Sequence, residues 1–281
     1  MRWLVAGASG MLGTDLLEVL RQRGDEVVAT DRDTLDITDV AAAREAVAGV
    51  DVVVNCAAWT AVDPAEDHEP EAFTVNAVGP HVLATACTGA GARLVQISTD
   101  YVFEGGASTP YAEDAPMAPR SAYGRTKAAG EWAVRAAGPD HLVVRTAWLY
   151  GAAGRCFPRT IARAGAERGA LQVVDDQVGQ PTWTRDLATL VVRLVDADAP
   201  GGTYHGTSGG STSWYGFARE VVAAAGLDPE IVSPSRSVAL DRAAPRPAYS
   251  VLGHDALRAV GVEPIGDWAE RWRVAASDVL A

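Results

Sequence analysis

The feature that most restricts this chain is the alternation of short β-rich runs with longer helical stretches across residues 1–150. Arg2–Ala6, Glu26–Thr30, Asp51–Asn55, Arg93–Ser98 and His141–Thr146 read as strands. Between them, Met11–Arg23, Asp39–Ala48, Pro70–Gly91 and Ser121–Ala137 carry apolar residues at helical spacing. A helix between successive strands returns the chain to the same edge, so the strands run parallel and ligands are expected at their C-terminal ends. From Gly151 the rhythm breaks, with Pro158, Pro181, Pro200, Pro229, Pro234, Pro245, Pro247 and Pro264 punctuating shorter elements. Thr184–Ala197, Ser213–Ala225 and Gly266–Leu280 predict helices in this half, and Gly202–His205 a short strand.

The first strand runs into Gly7-Ala8-Ser9-Gly10-Met11-Leu12-Gly13, a G-x-x-G-x-x-G run that opens the first helix. That is the context in which a dinucleotide fingerprint works. Gly7 permits the tight turn, Gly10 lets backbone approach a pyrophosphate, Gly13 permits close helix–strand packing, and the helix dipole faces the anion. Ser9, Met11 and Leu12 join these glycines as cofactor candidates. The expected architecture is therefore α/β: a Rossmann-type doubly wound parallel sheet over residues 1–150, and a smaller C-terminal α/β lobe over 151–281. The lobe is expected mainly to bind substrate, with parts packing back on the first domain.

Asp31 follows the second strand at the distance expected of an acid that binds a ribose hydroxyl, which favours NADH; Arg32 beside it suits a 2′-phosphate, which keeps NADPH open. Asp36 and Ile37 are candidates to cover the adenine, and the small residues Cys56, Ala57 and Ala58, with Thr60 beyond them, let a loop approach the adenosine side. Tyr123 and Lys127 lie four apart on one helix face, so their head groups can meet one ligand. An ammonium near the phenol is expected to lower its pKa and ease proton donation. Thr99, near the end of the fourth strand, should project at the same crevice and hydrogen-bond the carbonyl oxygen that Tyr123 protonates.

Composition excludes several classes. The chain of 281 residues is 48% hydrophobic and 21% charged, as in an ordinary globular enzyme, and its net charge of −12 with no basic run argues against nucleic acid or an anionic membrane as partner. Cys56, Cys87 and Cys156 lack zinc-ligand or C-x-x-C spacing and read as reduced thiols. His68, His81, His141, His205 and His254 are scattered without metal spacing. With no signal-like or membrane-length apolar segment, a cytoplasmic protein is expected.

At this point the chain resembles the extended short-chain dehydrogenase/reductases, and within them the dTDP-4-dehydrorhamnose reductase branch. The resemblance rests on Asn55–Asp63 (NCAAWTAVD), Ser98–Gly105 (STDYVFEG), Tyr123–Glu131 (YGRTKAAGE), Arg145–Gly151 (RTAWLYG), Val174–Ala188 (VDDQVGQPTWTRDLA) and Ser213–Phe217 (SWYGF). It implies Tyr123 as proton donor, Lys127 as its partner and Thr99 in place of the family's usual Ser. It also implies Asp100, Tyr101 and Trp148 around a sugar, Val62 and Asp63 at the mouth of the site, and Asn76 as a helical residue holding it. Arg246, in Pro245–Ser250, is a candidate for nucleotide phosphates. The implied reaction is hydride transfer from NADPH or NADH to the C4 ketone of dTDP-4-dehydro-L-rhamnose, giving dTDP-L-rhamnose, with no metal in that step. Mg2+ stays open: some relatives bind it at a dimer contact, and here Asp15 is acidic but Arg185 stands where a second acid is sought. Two alternatives stay open as well, a 4-ketoreductase for another dTDP-deoxyhexose and a non-catalytic nucleotide-binding subunit on the same fold. A monomer and a homodimer are both compatible with the sequence.

Overall fold

The computed structural model describes residues 1–281. The first half runs β1 (Arg2–Ala6), α1 (Met11–Gln22), β2 (Glu26–Thr30), α2 (Val40–Ala46), β3 (Val52–Asn55), α3 (Pro64–Asp67), α4 (Glu69–Phe73), a π-helical turn (Thr74–Val78), α5 (Gly79–Ala90), β4 (Arg93–Thr99), α6 (Ala122–Ala137) and β5 (Leu142–Thr146). The second half adds β6 (Leu149–Tyr150), α7 (Phe157–Arg168), β7 (Leu171–Val174), β8 (Val178–Gly179), β9 (Thr182–Trp183), α8 (Thr184–Asp196) and β10 (Gly202–His205). It ends with β11 (Ser208–Gly209), β12 (Thr212–Ser213), α9 (Trp214–Ala224), β13 (Val232–Ser235), α10 (Asp255–Ala259), β14 (Ile265–Asp267) and α11 (Trp268–Leu280).

Six strands form one parallel sheet in the order β10-β5-β4-β3-β1-β2. The apolar runs of the inner strands β1, β3 and β5 follow from burial on both faces, while β2 and β10 at the edges are only partly buried. Trp3 and Val5 of β1, Val52 and Val54 of β3, and Leu142 and Val144 of β5 pack on one side with Leu12, Leu16 and Leu20 of α1 and Leu187, Leu190, Val191 and Leu194 of α8. Their neighbours Leu4, Val53 and Val143 point the other way, into a second core with Ala43, Leu83 and Val134 from α2, α5 and α6. That strict alternation is the two-residue side-chain period of a strand. Helix starts follow local chemistry: Asp39 accepts from the amides of Ala41 and Ala42, Ser121 from Gly124, and Ser213 from Gly216.

One departure from the sequence expectations has a physical cause. The helix expected over 70–91 is interrupted by the π turn at Thr74–Val78, directly before Pro80 in the first turn of α5. Proline removes one amide and crowds the carbonyl four residues earlier, here Asn76, and a wider turn relieves that conflict. The displaced Asn76 carbonyl then presses on α6 at Gly130, where a Cβ would overlap it. The second half of the chain is divided between two places. After residue 151, α8 lies on α1 and β10 extends the main sheet beside β5, so these parts belong to the first layer. The remaining small strands and α7, α9 and α11 build a separate core around Tyr150, Phe217 and Trp272. An Arg271–Asp186 ion pair at 2.7 Å ties α11 to α8.

Two histidines buried at the seam of these parts, His205 at the end of β10 and His254 before α10, are pushed down by burial to about 3 and about 4. The unfolded chain, with histidines near 6.5, binds more protons in that window, so stability present in full above about pH 6.5 is lost as pH falls towards 4. The melting temperature is expected to drop between pH 6.5 and 5, and to drop less in His254→Asn. Equal slopes in a pH series of thermal scans would remove His254 from this account.

Candidate functional site

A cleft of about 1170 Å3 opens along the C-terminal ends of β1 to β5. Its floor is the turn after β1. Gly7 has φ of 77°, and a Cβ there would lie 2.6 Å from the Ala57 amide nitrogen. A Cβ on Gly13 would overlap the Gly7 carbonyl oxygen. The β1 turn, the β3 loop and α1 therefore close on one another only with glycine at both positions. The first-turn amides of α1 have no carbonyl partners within the helix and face this end of the cleft, which suits a phosphate anion.

Ser9, Gly10, Met11 and Leu12 line the cleft with Asp31, Arg32, Asp36, Ile37, Cys56, Ala57, Ala58 and Thr60, so the cofactor candidates converge. Asp31 Oδ1 accepts from the Asp33 amide and the Thr34 hydroxyl, shaping the turn after β2 that presents Arg32. Asn76 holds the β3 loop: its Oδ1 accepts from the Trp59 amide at 2.9 Å, and its Nδ2 donates to the Trp59 carbonyl and to Thr126 Oγ1, both at 3.0 Å. The π turn thus aims one buried amide at both the loop and α6.

At the other end, Thr99, Asp100, Tyr101, Tyr123, Lys127 and Trp148 share the wall with Val62. The phenol of Tyr123 is pushed up to about 12 by burial, with the Thr99 hydroxyl acting in the opposite sense. The phenol thus lies above its ordinary value, whereas the sequence expectation placed it below. The Lys127 ammonium donates instead to the Ile97 carbonyl at 2.7 Å, and burial brings it down to about 8. At neutral pH the phenol therefore keeps its proton, as a donor must, while the lysine still carries charge.

Asp100 is 3% exposed, and burial pushes its carboxyl up to about 6. One of its oxygens accepts from Thr99 Oγ1 at 2.9 Å; the Ser250 hydroxyl also lies against this carboxylate and acts against the effect of burial, while the buried Thr146 hydroxyl on the same wall is unpaired. Buried polar atoms are rarely left unpaired, which makes the Thr146 hydroxyl the exception on this wall. Trp148 adopts φ of 47°, a left-handed conformation that a bulky residue rarely takes. That backbone lays its indole on Trp214, with ring centroids 3.5 Å apart and planes at 7°. Trp214, from the second half of the chain, also lines the cleft. Sequence reasoning gave neither Trp214 nor Thr146 a role, although Trp214 lies within the SWYGF segment.

Two candidates lie elsewhere. Arg246 makes a two-pronged ion pair with Asp63 at 2.7 and 2.8 Å, and Asp63 also accepts from the Ala244 amide. Arg246 lines an adjoining depression of about 270 Å3 that shares Tyr101 with the main cleft. The arginine considered for phosphate is thus engaged by the carboxylate considered for the mouth of the site. Near α1, Arg185 reaches Glu18 at 3.2 Å and Thr184 donates to Asp15, so these groups satisfy one another. No cluster of three or more His, Cys, Asp or Glu side chains is arranged to hold a metal ion, and no helix is long and apolar enough to cross a membrane.

Comparison with known proteins agrees with this geometry. A family model described as RmlD substrate binding domain matches residues 1–280. The chain is 52% identical over 274 residues to a dTDP-4-dehydrorhamnose reductase of Streptomyces griseus, covering 95% of this chain and 90% of that protein. It is 50% identical over 284 residues to a probable dTDP-4,6-dihydroxy-2-methyloxan-3-one 4-ketoreductase of Streptomyces antibioticus, covering 100% and 96%. The crystal structure of dTDP-4-dehydrorhamnose reductase from Bacillus anthracis in complex with NADP superposes with a TM-score of 0.93 at 36% identity, over 98% of each chain. With a family model that runs almost end to end and relatives matched over nearly their whole length, the chain belongs to the RmlD substrate binding domain family.

Proposed function

We propose that this chain is an NADPH-dependent oxidoreductase that reduces the C4 ketone of dTDP-4-dehydro-L-rhamnose to give dTDP-L-rhamnose. The observation that carries the reading is the convergence of Tyr123, Thr99, Lys127 and Asp100 at one end of a cleft whose other end is a dinucleotide cradle. A reduced nicotinamide bound there supplies the hydride. Tyr123, protonated at neutral pH, gives its proton to the carbonyl oxygen as negative charge develops on it, and Thr99 turns its one hydroxyl proton from Asp100 Oδ1 to the same oxygen. Lys127 stabilises the phenolate left behind and hydrogen-bonds the nicotinamide ribose. The Asp100 carboxylate accepts from a sugar hydroxyl, and the Trp148–Trp214 stack provides an apolar wall beside the sugar. Arg32 at the end of β2 suits the 2′-phosphate of NADPH, and Asp31 leaves room for NADH.

The relative at 50% identity named as a 4-ketoreductase supports a second reading, reduction of another dTDP-linked 4-keto-6-deoxy sugar by the same groups. The test is coenzyme oxidation followed at 340 nm with dTDP-4-dehydro-L-rhamnose, using NADPH and NADH in parallel, with chromatography of the product. Formation of dTDP-L-rhamnose, faster with NADPH, is expected; binding of coenzyme without turnover of this sugar would favour the second reading.

Two variants probe the roles assigned. Tyr123→Phe is expected to bind coenzyme normally and to lose about 10²–10⁴-fold in kcat, the usual contribution of a general acid; a fully active variant would take Tyr123 out of that role. Asp100 loses its charge as pH falls through about 6, so KM for the sugar should rise on the acid side. In Asp100→Asn, KM should be raised about tenfold or more, the scale of a hydrogen bond to a charged group, and be flat from pH 5 to 7. An Asn variant that kept the wild-type pH dependence would show that another group titrates there.

A further inference from the structure

Beneath the reacting groups lies a side-chain cluster that hydride transfer itself does not use. Glu131, one helical turn beyond Lys127 on α6, is fully buried. Its Oε1 accepts from the Ser98 hydroxyl at 2.6 Å and from Arg145 Nε at 2.8 Å, while its Oε2 accepts from Arg145 Nη2 at 2.7 Å. Ser98 stands in β4 between Ile97, whose carbonyl receives the Lys127 ammonium, and Thr99. Arg145 comes from β5 and is itself held by the Glu113 carbonyl at 3.0 Å and by the Phe103 ring. One carboxylate therefore joins the helix carrying Tyr123 and Lys127 to the strand ends carrying Thr99 and the lysine's acceptor.

A buried ion pair is a poor way to gain stability, since apolar residues of the same volume often do as well. Its place here gives it another use. The charged and titratable groups around Lys127 can be enumerated by element. On α6 these are Tyr123, Glu131 and the half-exposed Arg135, 3.5 Å from Glu131. Cys56 after β3 has a thiol pushed up to about 12, so it stays neutral. Asp100 follows β4, Arg145 lies on β5 and is balanced by Glu131, and His205 on β10 is held neutral by burial. Of the groups that oppose the desolvation of the lysine, Glu131 is foremost.

We propose that Glu131 is a positioning residue for the reduction: with Ser98 and Arg145 it seats the Lys127 ammonium against the Ile97 carbonyl and holds Thr99 in register with Tyr123. This rests on the reading of Tyr123 and Lys127 as donor and partner. It can be tested apart from that reading, because Lys127 is the only lysine among the 281 residues. Isotope-labelled lysine thus gives a single side-chain NMR signal whose pH midpoint reports this amine without turnover.

In Glu131→Gln the midpoint is expected to fall by about one pH unit, as for loss of a neighbouring opposite charge, and the basic limb of the kcat profile to move with it. An unmoved midpoint in the folded variant overturns the proposal. Glu131→Gln also leaves Arg145 without its counter-ion and can cost the fold. Ser98→Ala keeps the ion pair and cuts only the link to β4. It should melt like wild type and bind coenzyme normally, yet lose roughly tenfold or more in kcat at unchanged KM, as misplacement of reacting groups does. Wild-type kcat in Ser98→Ala overturns the positioning role. If the NMR midpoint moves as expected but Lys127→Met keeps full activity, the donor–partner reading fails and the seating of the amine stands.

Discussion

The structure depends on the seating of one cation. Lys127 is 4% exposed, and its ammonium donates to a main-chain carbonyl at the end of β4. A charge in that position is costly unless it is compensated. The neighbouring arrangement supplies the compensation: a carboxylate one turn along the same helix, itself neutralised by an arginine from the next strand. Arginine in the lysine's place could not lose its proton at any working pH, and its fork would not fit a single carbonyl acceptor. A compact ammonium that spends one donor on a single carbonyl keeps its other two for different partners.

The fold delivers these partners because parallel strands end together. β3, β4 and β5 present Cys56, Thr99 and Thr146 along one edge, and α6 lays Tyr123 and Lys127 across them. The π turn before Pro80 adds the remaining constraint. By pushing the Asn76 carbonyl onto Gly130, it lets α5 and α6 pack closely while the Asn76 side chain reaches the Trp59 loop. A conflict created by one proline thereby fixes the loop that covers the cofactor end of the cleft.

Much of this was legible in the sequence, for definable reasons. β1, β2 and β10 were found residue for residue: β1, buried almost throughout, leaves an apolar run, while the partly buried edge strands β2 and β10 show β-branched or aromatic residues between turn residues. The glycine run and the Tyr-Lys spacing located both ends of the cleft. The break in the 70–91 helix was not legible, because apolar periodicity passes unaltered through a π turn. Nor was the pairing of Asp63 with Arg246, 183 residues apart, since each was read against an absent ligand rather than against the other. Trp214 escaped for a similar reason: an aromatic in an amphipathic helix reads as core, and only the φ of Trp148 brings the two indoles together.

These long-range pairings have a common consequence for how the site works. The main cleft is built from residues between Gly7 and Leu149, while from the second half of the chain Trp214 joins its wall and Arg246 lines the adjoining depression. Asp63 and Arg246 cross that divide with charge, and Trp148 and Trp214 cross it with stacked rings. Arg246 is mostly covered, whereas Asp63 remains more than a third exposed. A guanidinium held by two hydrogen bonds to one carboxylate has little side-chain freedom left. One of these contacts is charged and partly open to water and the other is apolar, so the two halves of the chain are joined beside the cleft by interactions of which only the first weakens with salt.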